Sequence, residues 1–296
     1  MHKGKVIRAA GGFFSVCDEA GKEYFCQARG ALKKGSEALM VGDNVVFKPL
    51  EQVSGDGTDE AIIEKRLPRF NRLGRPPVAN INQLVVVMSL KDPECDWQLV
   101  NRMLVQAEKE EMTAFLCLNK ADLVTDREIE DVKQKSDPFP YQIICSSTVT
   151  RMGIDEIAGR LKDCTSVFAG PSGVGKSSLL NAIQPGLSLQ TGDVSERIKR
   201  GRHTTRLAEL LPLHSGGKVV DTPGFSRLNF SAMDENELAR FFPDFENLRG
   251  KCNFRNCRHT GEPGCAVEQE VGKSINPMRY EHYRLFLDEI SKQEAY

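Results

Sequence analysis

The stretch Gly170-Pro171-Ser172-Gly173-Val174-Gly175-Lys176-Ser177 has the residue types and spacing needed to wrap a chain of phosphates. Its glycines let the backbone close on phosphate oxygens with N–H groups pointing inward, and a following helix adds a favourable dipole. Lys176 is expected to reach the β- and γ-phosphates, and the Ser177 hydroxyl to bind Mg²⁺. Ser178 is counted with the same phosphate site. Downstream, Asp221-Thr222-Pro223-Gly224 follows the strand Lys218-Val219-Val220. Asp221 is placed to hold Mg²⁺ through water, and the Gly224 amide to approach the γ-phosphate.

A second constellation, Asn119-Lys120-Ala121-Asp122, closes the apolar run Ala114–Leu118. Its chemistry selects guanine. The Asp122 carboxylate accepts from the ring N–H and the exocyclic amine, an arrangement that adenine does not offer. Asn119 serves the other edge of the purine, and the Lys120 stem covers the ring. Against adenine, Asp122 would forgo charged hydrogen bonds at roughly 1.5–3 kcal/mol each. Cys145-Ser146-Ser147 ends the next strand, and Ser146 and Ser147 are expected to offer backbone amides to the guanine oxygen. Taken alone, Asn119–Asp122 also reads as a helix-capping turn.

Phe225 stands just after Gly224, where many nucleotide hydrolases carry a glutamine that orients the attacking water. Unaided turnover should therefore be slow. Between the phosphate loop and Asp221 lies Arg197–Arg206, with five cationic residues around His203, Thr204 and Thr205. Thr205 is the expected contact to Mg²⁺ and the γ-phosphate, with Thr204 as the alternative. This loop repels itself until phosphate, Mg²⁺ or RNA neutralises it.

A third cluster sits near the end: Cys252, Cys257, His259 and Cys265 within fourteen positions. Three thiolates and an imidazole form a closed ligand set for tetrahedral zinc, with no position left for catalysis. The alternative is buried free cysteines, but the surrounding segment is polar and contains Gly261, Pro263 and Gly264. Arg249, Lys251, Arg255 and Arg258 flank Phe254 there, a mixture that suits RNA contact or a merely solvated face.

These groups need elements to position them. Residues 1–68 read as four or five short strands, a small barrel of the OB or SH3-like kind. Residues 69–77 look like a linker. From there to residue 230 strands and helices alternate, which implies a parallel sheet covered on both faces. Residues 231–296 turn polar and helical, with a last helix over Pro277–Ser291. The expected fold is thus an OB-like barrel, an α/β phosphate-binding domain and a zinc-binding helical domain.

Across 296 residues the chain is 27% charged, with a net charge of −1, so overall charge marks no nucleic-acid binder. No apolar run approaches the roughly 18 residues that span a bilayer. The start lacks the apolar segment of a secretory signal, so the chain is expected in the cytoplasm, where its nine cysteines stay reduced. No membrane partner is expected, and no dimerisation stripe is evident, which points to a monomer.

The guanine motif precedes the phosphate loop here, whereas in most GTPases it follows Asp-x-x-Gly. This circularly permuted order, between a barrel and a cysteine knuckle, resembles the small-ribosomal-subunit-dependent GTPases of the RsgA family over essentially the whole chain. The resemblance implies hydrolysis of GTP to GDP and phosphate, stimulated by the small (30S) ribosomal subunit. It implies a role in late maturation of that subunit, with its rRNA as a partner. His203 resembles the histidine proposed to position water in that family, although a solvated loop residue touching rRNA is the alternative. The Cys₃His pattern of the family implies one zinc.

Overall fold

A computed structural model describes residues 1–33, 38–54, 57–73, 77–187, 209–221 and 233–294. The chain forms two compact units. Met1–Leu84, Asp155–Phe168 and Lys176–Phe225 make the first; Val85–Ile154, Ala169–Gly175 and Ser226–Tyr296 make the second.

In the first unit, β1 (His2–Ala10), β2 (Phe13–Asp18), β3 (Glu23–Ala28), β4 (Asn44–Val53) and β5 (Asp59–Arg66) pair in the order β1-β2-β3-β5-β4. Pairing of β1 with β4 closes the barrel, with Lys5 opposite Asn44 and His2 opposite Phe47. Alternation along β2, β3 and β5 turns Val16, Cys26 and Ile63 inward, where they meet Val6, Val45 and Phe47 with no exposure to solvent. β3 and β5 run parallel and the other pairs antiparallel. The order is that of an OB-like barrel.

Of the stretch 69–77, read from sequence as a linker, residues 69–73 are built into this unit. Arg69 is 8% exposed and forks onto Asp43, itself fully buried, at 2.6 and 2.7 Å. Asn71 holds the Ile81 backbone in both directions. A two-stranded ribbon, β6 (Arg72–Leu73) with β7 (Val78–Ala79), completes it. Proline and glycine suggested looseness, whereas buried pairing of the arginine overrides it.

The same unit contains β11 (Thr165–Ala169), β12 (Glu209–Pro212) and β13 (Lys218–Asp221). β11 runs parallel to β13, β12 runs antiparallel to it, and Arg8 of β1 pairs with Glu209 of β12. Strand β12, absent from the sequence reading, is what joins β13 to the barrel edge.

The second unit contains β8 (Gln83–Ser89), β9 (Thr113–Asn119) and β10 (Ile143–Cys145), in the order β10-β9-β8, with β9 and β10 parallel. Every residue of β8 is buried, as expected for a strand covered on both faces. Helix α1 (Trp97–Lys109) is capped by Asp96, whose carboxylate accepts the Leu99 N–H. Helix α2 (Asp126–Ser136) opens with a capping box in which Thr125 and Glu128 serve each other's backbone. In chain order α3 (Ile154–Arg160) follows β10 and α4 (Lys176–Ile183) follows β11; apart from Ile154, both helices belong to the first unit.

The end of the chain folds onto α1 within this unit. A short α5 (Ala266–Gln269) precedes the long α6 (Pro277–Glu294). Tyr280, Tyr283, Phe286, Leu287 and Ile290 of α6 are buried with Phe242, Phe245 and Val105, while Leu285 is 53% exposed. Arg279, 1% exposed, grips both oxygens of Asp244 at 2.6–3.0 Å and donates to Asn101 of α1 at 2.6 Å. Asn101 in turn meets His282 Nδ1 at 2.7 Å, and Arg102 forks onto Glu289. Removing one partner of such a buried pair strands the other charge, at about 3–5 kcal/mol. No helix among the described residues is long and apolar enough to cross a membrane.

Candidate functional site

β11 is buried along its length and delivers the chain into the loop Gly170–Gly175, after which Lys176 opens α4. Two glycines are required by contact. Gly170 has φ +152°, and a Cβ there would lie 2.0 Å from the Val87 carbonyl oxygen. Gly175 has φ +92°, and a Cβ there would lie 2.4 Å from Asn119 Nδ2. Any side chain at either place pushes the loop off β8 or off the guanine motif. Val174 is buried and anchors the loop; Ser172 and Gly173 are exposed, and Pro171 is half-buried.

Lys176 and Ser177 are half-buried on the first turn of α4, and Ser178 is exposed. Burial pushes the pKa of the Lys176 ammonium down, because desolvation disfavours the charged form. A phosphate anion beside it would reverse that shift.

Asn119 ties the two predicted motifs together. Its Nδ2 donates to the Val174 carbonyl at 2.9 Å, and its Oδ1 accepts from the Ser146 hydroxyl at 3.1 Å. The Ser147 hydroxyl donates to Asp122 Oδ1 at 2.5 Å and accepts the N–H groups of Val149 and Thr150. Asp122 is exposed, with its carboxylate fixed on one side by Ser147 and open on the other. Asn119, Lys120, Asp122, Ser146, Ser147 and the phosphate loop therefore share one end of the strands in the second unit. That end is where open α/β sheets bind ligands.

The role expected of the serine amides needs correction. Ser146 N–H donates to Leu118 O at 2.8 Å, and Ser147 N–H to Met152 O at 3.0 Å. Both are committed to holding the strand end, so neither is available to a guanine oxygen. The next amide, that of Thr148, has no hydrogen-bond partner among the described residues.

Sequence reasoning also missed the loop after β8. The Lys120 ammonium donates to the Asp92 carbonyl, and the Ser89 hydroxyl donates to the Pro93 carbonyl at 2.6 Å. A Cβ on Gly173 would meet Pro93 Cδ at 3.8 Å, so this loop lies against the phosphate loop. Its signal was available: Ser89–Pro93 leaves the carboxyl end of an all-buried strand. Asp221 ends β13. His203, Thr204, Thr205 and Gly224 lie outside the described residues.

Cys252, Cys257, His259 and Cys265 converge in the second unit, their ligand atoms all within 4.8 Å of one another. His259 Nδ1 lies 3.6 Å from Cys252 Sγ and 3.4 Å from Cys265 Sγ. Zinc–sulfur and zinc–nitrogen bonds of ordinary length, at the tetrahedral angle, separate S and N by about 3.5 Å. The donor set fits zinc. Backbone N–H groups of Ala266 and Glu268 point at Cys252 and Cys265 sulfur, as thiolate ligands require. Tyr280 and Tyr283 hold the loop by donating to the carbonyls of His259 and Arg258. The purified chain is expected to hold one zinc per molecule, lost in Cys257→Ser. Metal analysis of both proteins checks this, and full zinc in the variant would exclude Cys257 as a ligand.

Known proteins match this architecture. The RsgA GTPase family model matches residues 66–231, and the RsgA N-terminal domain model residues 3–57. "Small ribosomal subunit biogenesis GTPase RsgA" of Moorella thermoacetica is 44% identical, covering 99% of this chain and 98% of that protein. Its counterpart in Halalkalibacterium halodurans is 40% identical, with coverage of 99% and 98%. Among solved structures, YjeQ from Thermotoga maritima superposes with a TM-score of 0.83 at 35% identity, over 97% of this chain and 98% of its own. YloQ, described as a circularly permuted GTPase, gives 0.80 at 36% identity, over 99% and 96%. With its guanine motif ahead of its phosphate loop, a closed barrel before them and a cysteine–histidine cluster after, the chain belongs to the RsgA family of circularly permuted GTPases and is a GTP-hydrolysing enzyme.

Proposed function

We propose that the chain hydrolyses GTP to GDP and phosphate as a maturation factor of the small ribosomal subunit, which binds it and accelerates turnover. The observation that carries the nucleotide assignment is Asn119, bonded at once to Val174 of the phosphate loop and to Ser146 beside the guanine motif. One GTP lies along this axis. Asp122 takes the ring N–H and exocyclic amine, the Lys120 stem covers the ring, and the Gly170–Gly175 amides with Lys176 take the phosphates. Ser177, Thr205 and Asp221 would hold Mg²⁺, which would supply charge neutralisation at the phosphate oxygens, and the Gly224 amide would serve the γ-phosphate.

Phe225 cannot orient water, so His203 does so when the small subunit is bound. Cys252, Cys257, His259 and Cys265 would hold a zinc ion that clips the knuckle, and Arg255, Arg258 and Phe254 would face rRNA. This reading divides the chain at about residues 68 and 230 and has it work as a monomer in the cytoplasm. The relatives' name for the setting, small ribosomal subunit biogenesis, supports the partner.

Phosphate release measured with and without purified small subunits is the test. Turnover should rise on their addition, and His203→Ala should lose that rise while GDP affinity holds. A rate indifferent to subunits removes the partner, and an unimpaired His203→Ala removes the histidine.

A further inference from the structure

Three lysines of the first unit line one cavity with a volume of about 300 Å³. Lys3 and Lys5 stand two apart on β1 and so share a face, while Gly4 between them is packed against Val16 and Phe47 of the barrel interior. Lys218, at the start of β13, reaches the same space. Among the described residues neither Lys5 nor Lys218 makes an ion pair or side-chain hydrogen bond.

Two carboxylates share the wall, Asp18 and Glu19, so the three lysines exceed them by one charge. Cys17 lies opposite Lys5 on β2, and burial pushes its thiol pKa up, which keeps it neutral. Asp18 turns into its own tight bend, where its Oδ1 accepts the N–H groups of Ala20 and Lys22 at 2.9 Å each. Glu19 is on the exposed rim. Burial lowers the Lys5 pKa, and the neighbouring Lys218 charge lowers it further. Two like charges on a half-desolvated wall repel, and an oxyanion between them converts repulsion into two charge-assisted hydrogen bonds.

We propose that this cavity is a second phosphate site, in which Lys5 and Lys218 clasp one phosphate group and Lys3 guards the rim. None of its lining residues belongs to the phosphate loop or the guanine motif. The volume is at the small end of ligand pockets, which suits a phosphate and its ester rather than a larger molecule. The phosphate comes from a free nucleotide or diphosphate, or from an RNA backbone. Lys218 and Asp221 occupy the two ends of β13, about 10 Å apart along the strand. An anion here therefore holds the strand that carries Asp221 from its far end.

The test uses the full chain with its nucleotide site saturated by GDP and Mg²⁺, so that the phosphate loop is occupied. Titration calorimetry with inorganic pyrophosphate, and separately with a short single-stranded RNA, reads the second site. Lys5→Gln and Lys218→Gln should each weaken binding about tenfold or more, the effect of losing a charged hydrogen bond. Lys162→Gln, at an exposed lysine, should not. Weakening of pyrophosphate identifies a free phosphate as the source, and weakening of RNA alone identifies the backbone. Equal affinities for both ligands in all four proteins overturn the proposal. Because a β13 substitution can disturb folding, the native chain supplies a second readout. Its Lys5 ammonium, followed by nuclear magnetic resonance, should titrate at higher pH once pyrophosphate or RNA is added. A Lys5 signal unmoved by both overturns the site.

Discussion

Lys176→Ala is expected to lower GTP turnover by at least roughly a hundredfold, the cost of losing one preorganised group that stabilises transition-state charge. The lysine begins α4 directly after a loop that packs closely on the Val87 carbonyl at Gly170 and on the Asn119 side chain at Gly175. Its ammonium is half-buried, with a lowered pKa. It therefore gains most from an anion, and a truncated side chain leaves charge on the β- and γ-phosphate oxygens unbalanced. Zinc content should be unchanged, because the Cys₃His cluster shares no residue with this loop. Phosphate release under single-turnover conditions, with metal analysis of the same preparation, separates a catalytic defect from a misfolded protein. Normal turnover would remove Lys176 from the phosphate site.

Asp122→Ala should weaken GDP by a factor of about 10² to 10⁴. Two charged hydrogen bonds of about 1.5–3 kcal/mol are lost together, and each 1.4 kcal/mol is tenfold. The wild-type carboxylate is held on one oxygen by Ser147 and left open on the other side, the arrangement of a ready acceptor. Discrimination against ATP should fall with it, since adenine never offered those donors. Competition of ATP and GTP against labelled GDP, in both proteins, measures affinity and selectivity at once. A variant that still prefers GTP by the wild-type margin would place guanine recognition elsewhere.

Much of this was legible in the chain because the chemistry is local. A phosphate loop must follow a buried strand and open a helix, so Gly170–Ser177 announces both β11 and α4. The Cys₃His cluster is likewise confined to fourteen positions, and its donor atoms converge as their types suggest. The barrel strands were readable from alternation and turns, although β4 and β5 run longer than their apolar centres. What could not be read depends on distant partners. Arg69 looks like linker until Asp43, twenty-six residues earlier, is seen to bury it. β12 is too short and ordinary to declare itself, and only its pairing with β13 and Arg8 makes it a strand. The serine amides illustrate a subtler limit. Position at a strand end was right, but which N–H remains available depends on Leu118 and Met152 across the turn.

Crystallography of the chain with a non-hydrolysable GTP analogue and Mg²⁺ tests the central claim most directly. The account predicts a single nucleotide whose guanine donors rest on the Asp122 carboxylate while its β- and γ-phosphates contact Lys176. Density showing these two side chains in separate cavities, with no nucleotide spanning them, would contradict it.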